Sequence, residues 1–184
     1  MEIFIDDIKE DGLHIEAAVP GNAWLHALLM ETVADQFTKD DTAKLEITGH
    51  KVNLNIDLSG LLVYTSHVPC DRCLKELLVK DTVRVHTHLA PLYESQKERA
   101  RKAYEEEREL VLEDLEFSFY EGDRIDLDDI IREHIVLSLP MMRLCQEDCK
   151  GLCQYCGKNL NEGSCQCAEK RIDPKWDALK KLKI

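Results

Sequence analysis

The sequence predicts an α+β fold: an antiparallel sheet or small open β-barrel with packed helices, followed by a small cysteine-rich C-terminal module. Three observations lead there. Apolar and polar residues alternate between Ala43 and Leu89, two other stretches repeat at helical spacing, and six of eight cysteines fall within the 23 residues from Cys145 to Cys167. Residues 1–140 form the α+β domain in this reading, and residues 141–184 form the module with a helix at its end.

Taken in order, Met1 to Ile5 and Leu13 to Val19 read as short strands. Ala23 to Phe37 reads as a helix, with Leu25, Leu28, Leu29 and Val33 on one side and Asn22 as its N-cap. Leu45 and Ile47, then Val52, Leu54 and Ile56, then Val83, Val85 and Leu89 mark half-buried antiparallel strands. Ser59-Gly60 and Lys80-Asp81 punctuate them as turns, and Cys70 and Cys73 sit at another. Residues 94–114 are dense in charge and lack a continuous apolar stripe, which reads as a solvated helix or flexible insertion. Asp126 can cap a helix that starts at Leu127 and shares Leu127, Ile130, Ile131, His134 and Ile135 on one buried side until Pro140 ends it. In the last segment Trp176, Leu179 and Leu182 line one helical face.

Charge narrows the function classes. The chain of 184 residues has a net charge of −12, which argues against a protein that coats nucleic acid indiscriminately. The deficit is local: residues 1–140 hold 15 Lys+Arg against 30 Asp+Glu (−15), while residues 141–184 hold 9 against 6 (+3). The start, Met1-Glu2-Ile3-Phe4-Ile5-Asp6-Asp7, has neither the basic residues nor the apolar run of a signal peptide. Charges also interrupt every later apolar run before it reaches a membrane span. A cytoplasmic protein with no membrane role is expected.

In a reducing cytosol, clustered cysteines point to metal rather than to disulfides. The cluster reads Cys145-x3-Cys149-x3-Cys153-x2-Cys156-x8-Cys165-x-Cys167. The two-residue gap from Cys153 to Cys156 lets a tight turn aim both sulfurs at one ion, and Gly157 permits the backbone that follows. Cys165 and Cys167 can complete a tetrahedral zinc site across the Asn159–Gly163 loop, or Cys145 or Cys149 can replace one of them. Iron–sulfur ligation also takes four cysteines. Cys70-Asp71-Arg72-Cys73 is a separate pair with three readings: ligands, with Cys145 and Cys149, of a second zinc; a redox dithiol; or structural thiols in a turn. His67 reads as a surface group, His134 as a hydrogen-bonded core histidine, and His86 and His88, which share one strand face, as exposed, because no third ligand is expected nearby. Four thiolates leave a zinc ion no open position for water, and no phosphate loop, nucleophile elbow or metal-hydrolase motif occurs. Neither an enzyme nor a small-molecule substrate is expected.

Leu137-Ser138-Leu139-Pro140, the run Cys149-Lys150-Gly151-Leu152-Cys153-Gln154-Tyr155-Cys156-Gly157-Lys158-Asn159-Leu160-Asn161, Cys165-Gln166-Cys167, Asp173-Pro174-Lys175-Trp176 and Cys70-Asp71-Arg72-Cys73-Leu74 closely resemble the bacterial YceD family. That family is described as large ribosomal RNA subunit accumulation proteins. The resemblance therefore implies a part in accumulation or maturation of 23S ribosomal RNA, with the large subunit or an assembly intermediate as partner. Some relatives lack the C-terminal cysteines, so the cluster is expected to stabilise the chain rather than carry the shared role.

Phosphate contacts need Lys and Arg, which places any RNA surface on the C-terminal module: Lys150, Lys158, Lys170, Arg171 and Lys175, with Tyr155 or Trp176 able to stack on an unpaired base. Docking of Trp176 on the sheet competes with that use. Arg72 and Lys75 read as solubilising charges. Two other functions fit the residues. The acidic N-terminal part suits an adaptor or holding protein for a basic ribosomal or assembly protein, and the thiols suit a redox sensor that loses zinc on oxidation.

Overall fold

A computed structural model describes residues 1–9, 11–92 and 118–167. The expected insertion at 94–114, the basic residues Lys170, Arg171 and Lys175, and the segment of Trp176, Leu179 and Leu182 lie outside the described residues. The chain forms two compact units, Met1–Ser66 with Val79–Leu139, and His67–Leu78 with Pro140–Ile184. The sequence had drawn a single boundary at residue 140. The second unit instead draws on the hairpin tip that carries Cys70 and Cys73 as well as on the C-terminal segment.

The first unit is α+β. Its five-stranded sheet has the order β2 (Leu13–Val19), β3 (Ala43–Val52), β4 (Asn55–Pro69), β5 (Glu76–Pro91), β6 (Ser118–Tyr120). β2, β3 and β4 pair antiparallel, whereas β6 runs parallel to β5 with Leu89 opposite Ser118. The sheet is thus open and mixed rather than wholly antiparallel or a barrel. A second, two-stranded sheet pairs β1 (Glu2–Phe4) with β7 (Arg124–Asp126), and a 3-10 turn, Ile5–Asp7, follows β1.

Alternation puts one side of the sheet into the core. Ala43, Leu45 and Ile47 of β3, Ile56, Leu58, Leu62 and Tyr64 of β4, and Val83 and Leu89 of β5 join one buried cluster. Two helices close it, α1 (Ala23–Thr32) through Leu25, Leu28 and Leu29, and α2 (Leu127–Ser138) through Leu127, Ile131 and Ile135. Both caps are those the sequence predicts: Asn22 Oδ1 accepts from the Leu25 amide at 2.9 Å, and Asp126 Oδ1 from the Asp128 amide at 2.9 Å. Trp24 Nε1 donates to Asp128 Oδ1 at 2.6 Å, tying the two helices together.

Three local expectations are corrected. α1 stops at Thr32 rather than Phe37, because the Gln36 and Phe37 amides both turn back to the Val33 carbonyl and Asp41 captures the Thr38 amide and hydroxyl. Val33 and Phe37 are still buried, carried there by a turn. Val52 and Leu54 are 68% and 52% exposed, because the β3–β4 hairpin turns between them at Asn53, whose φ is 58°. Ser59-Gly60 and Lys80-Asp81 are not turns but lie inside β4 and β5. Gly60 faces Ile47 across the ladder, and a Cβ there would press on the Glu46 carbonyl oxygen and come within 2.7 Å of Ile47 Cγ1. Close approach of the neighbouring strand explains that glycine.

Candidate metal centre

Cys70 and Cys73 bracket the tight turn between β4 and β5. The Cys70 amide donates to the Lys75 carbonyl at 2.8 Å, and the Leu74 amide donates back to the Cys70 carbonyl at 2.9 Å. The same pattern recurs at the other pair, with the Cys153 amide on the Lys158 carbonyl at 2.8 Å and the Gly157 amide on the Cys153 carbonyl at 2.8 Å. The residue after each second cysteine is left-handed, Leu74 at φ 58° and Gly157 at φ 71°. The two turns are the same knuckle, although only one carries the glycine that favours this backbone.

Each knuckle gathers two more thiols. Cys70, Cys73, Cys145 and Cys149 form one group and Cys153, Cys156, Cys165 and Cys167 the other, the four sulfurs of each lying within 4.8 Å of one another. Cys70 and Cys149 sulfurs are 3.8 Å apart, and those of Cys73 and Cys145 are 3.6 Å apart. A disulfide would need about 2.0 Å. Four thiolates at ~2.3 Å from one tetrahedral ion have edges of about 3.8 Å, so the donor set fits a single metal ion.

The surroundings split the thiols, stabilising some as anions and not others. Burial pushes the Cys70 thiol up, but the amides of Cys73, Arg72 and Cys145 outweigh it and bring it down to about 6. The Cys145 amide lies 3.3 Å from that sulfur. Burial also raises Cys149, yet the Asn161 side-chain amide, 3.2 Å from its sulfur, and the Gly151 amide hold it below the ordinary thiol range. Cys145 is pushed up to about 12 by burial and by hydrogen bonds with Cys149, Cys73 and Cys70. In the second group the Tyr155 and Cys156 amides bring Cys153 down to about 6, while hydrogen bonding to Cys156, then burial, pushes Cys167 up to about 12. Each group thus mixes thiols stabilised as anions with thiols crowded into keeping their protons. A bound cation removes that conflict.

Backbone lacing holds the first group together across about 70 residues of chain. The Asp71 amide donates to the Arg143 carbonyl at 2.9 Å, the Leu152 amide to the Arg72 carbonyl at 3.1 Å, and Arg72 Nη1 to the Cys149 carbonyl at 3.0 Å. Arg72, read from the sequence as a solubilising charge, is therefore a brace. Gly151 at φ 71° lets the chain pass the Arg72 carbonyl, which a Cβ would meet at 3.0 Å. Asn161 accepts from the Lys150 amide at 2.8 Å while donating to Cys149 sulfur, so a residue of the second group's loop supports the first group. Sequence reasoning treated that loop as a spacer, and only its short polar composition hinted at hydrogen-bonding work.

His67 stands apart from both groups, its Nδ1 3.4 Å from Glu76. Lys150 and Lys158 are exposed on the second unit, Lys158 Nζ donating to the Ser164 carbonyl at 2.9 Å, and Tyr155 between them is 49% exposed. His134 is hydrogen-bonded as expected, its Nδ1 2.8 Å from the Ile130 carbonyl and its Nε2 receiving the His86 amide at 3.3 Å, but it is only half-buried and not a core residue. His86 and His88 do have a third donor beside them. Asp57, about 30 residues earlier, reaches them from the neighbouring strand β4.

An open α+β sheet domain and a unit built on two paired tetracysteine knuckles able to hold metal define the class of protein. The chain belongs to the family described as Large ribosomal RNA subunit accumulation protein YceD, which matches residues 58–183 and so takes in all eight cysteines. A chloroplast protein of Arabidopsis thaliana described as Large ribosomal RNA subunit accumulation protein YCED homolog 1 is 33% identical over 63 residues, 34% of this chain and 20% of its own. The Zea mays protein of the same description is 25% identical over 145 residues, 70% of this chain and 48% of its own. The chain spans less than half the length of these curated relatives. No solved structure matches it. Among the described residues no helix is long and apolar enough to cross a membrane.

Proposed function

We propose that this chain is a non-enzymatic, cytoplasmic accessory factor for the accumulation or maturation of large-subunit (23S) ribosomal RNA, its second unit held in shape by two structural zinc ions. The family match over residues 58–183 carries the reading. Cys70, Cys73, Cys145 and Cys149 hold one ion and Cys153, Cys156, Cys165 and Cys167 the other. Four thiolates per ion leave no coordination position for a reacting water, so the metal's part is folding energy. Zinc suits a closed all-thiolate tetrahedron of one ion, whereas the four thiolates of an iron–sulfur cluster are divided among two or more irons and so do not all close around one centre. RNA contact is assigned to the second unit, through Lys150 and Lys158 beside Tyr155 and through Lys170, Arg171 and Lys175 beyond them.

Gradient sedimentation of the tagged protein from cells, with crosslinking in each fraction, tests the proposal. Co-migration with large-subunit precursors and crosslinks from the second unit to 23S ribosomal RNA are expected. Migration only as free protein, or crosslinks only to proteins, would overturn RNA engagement.

A further inference from the structure

The outer face of the first unit carries a cluster that the thiol chemistry does not use. His86 and His88 alternate along β5 and so project from the same side, where their side chains keep 60% and 45% of their surface. Asp57 of β4 lies between them, with Oδ1 3.7 Å from His86 Nε2 and Oδ2 3.3 Å from His88 Nδ1. The two rings meet edge to face at 86°, centroids 4.7 Å apart, and the three ligand atoms fall within 4.8 Å of one another. His50, the cross-strand partner of Asp57, is packed beside Gly12 instead.

Two imidazole nitrogens and a carboxylate oxygen are the donors of an open, three-ligand site for a borderline divalent cation. Donors about 2.1 Å from a shared tetrahedral ion stand about 3.4 Å apart; here one ligand atom from each residue lies within 4.8 Å of the others, and the two carboxylate oxygens approach the two rings at 3.7 and 3.3 Å. A simple carboxylate–imidazole ion pair requires only one ring; here one carboxylate spans two. The donors are mounted on neighbouring strands, so binding orders little new chain. His86 is held further, since its amide donates to His134 Nε2 while His134 Nδ1 lies on the Ile130 carbonyl. The two histidines also border a shallow cavity of about 270 Å³ with Ser118, Glu133, His134 and Leu137, and the exposure of both rings leaves the donors open to solvent.

We propose that Asp57, His86 and His88 form a third metal site that takes a divalent zinc-type cation and leaves coordination positions open to water or an exchangeable ligand. It is distinct in kind from the closed thiolate groups and independent of the ribosomal reading. Three donors at an exposed surface bind more weakly than four thiolates, so the site fills only as free zinc rises.

The test compares the full chain with the His86→Ala/His88→Ala double variant and with Asp57→Asn. Each is dialysed to equilibrium against a series of zinc buffers, and zinc and protein are then measured. The native chain should reach one more zinc per molecule than the double variant at the high end of the series, with equal content at the low end. Asp57→Asn removes a charged ligand and should need at least about tenfold more free zinc to gain that ion, the low end of what losing even a partner that only orients a ligand costs. In the native chain the ring Cε1–H resonances of His86 and His88 should shift as it enters. All replaced side chains are on the outer face, and far-ultraviolet circular dichroism checks that the sheet persists. Equal zinc content across the series, or an extra ion that leaves both ring resonances unmoved, would overturn the site.

Discussion

Asn161→Ala isolates the support that one cysteine group takes from the loop of the other. Asn161 Nδ2 is 3.2 Å from Cys149 sulfur and its Oδ1 accepts from the Lys150 amide at 2.8 Å. A hydrogen bond to a charged group is worth roughly 1.5–3 kcal/mol. Asn161 is only partly buried, so water takes over some of the lost bonding and the lower end applies. About 1.5 kcal/mol is about tenfold in affinity, at the bottom of the ~10–100-fold range found for groups that orient metal ligands. Zinc-loaded protein is titrated with a competing chelator while amide resonances of 70–75 and 153–158 report each group separately. The first group should release its ion at about tenfold lower chelator strength, and the second should not change. Asn161→Asp should weaken the first group further, because it keeps the acceptor for Lys150 but sets a negative charge beside the thiolate. Unchanged release from the first group, or a loss confined to the second, would refute the assignment.

Complete metal removal should expose the amides of 70–75 and 153–158 to hydrogen exchange while those of β3 and β4 keep their protection, since the thiol groups lie in a separate compact unit. Gly60→Ala should lower stability by about 1–3 kcal/mol in urea unfolding, because the added methyl meets the Glu46 carbonyl and Ile47 with no flexible side-chain end to yield. Burial pushes Asp128 up, but the Met1 ammonium and the Trp24 N–H outweigh it and hold the carboxyl below its usual range. A depressed folded pKa adds stability above the unfolded value of about 3.9 that is lost as pH falls through the folded value. Asp128→Asn should therefore be less stable than the native chain at neutral pH, with the gap closing in unfolding curves measured below about pH 4.

Local signals in the sequence were legible where a single element answered to a single rule. Asn22 and Asp126 could be read as caps because each faces its own helix, and β2 could be bounded at Leu13 and Val19 because one of its faces is buried. Gly60 misled because a glycine that admits a neighbouring strand has the same letter as one that turns the chain. The first knuckle was weaker than the second for a related reason. Leu74 takes the left-handed backbone that Gly157 takes, and nothing about a leucine announces that. Asp57 beside His86 and His88, and Arg72 on the Cys149 carbonyl, are contacts across strands or between distant segments. Periodicity along one strand carries no information about what its neighbour contributes.

If the proposed RNA contact holds, the charge distribution limits where it can lie. The −15 of residues 1–140 repels phosphate, so attraction must come from residues 141–184, whose net charge is only +3. If Lys150, Lys158, Lys170, Arg171 and Lys175 each neutralise one phosphate, log K against log salt should fall with a slope of about −3.5 on single strands and about −4.5 on duplex. Filter binding to large-subunit RNA across a salt series measures it. Lys150→Gln/Lys158→Gln should make the slope shallower by about 1.4 to 1.8, whatever the RNA sequence, because phosphate contacts position without reading bases. Tyr155→Ala should weaken binding at every salt concentration and leave the slope alone, since stacking releases no counterions. A slope near zero in the native chain, or one that the double substitution leaves unmoved, would remove these lysines from the interface and shift the ribosomal role to contacts with protein.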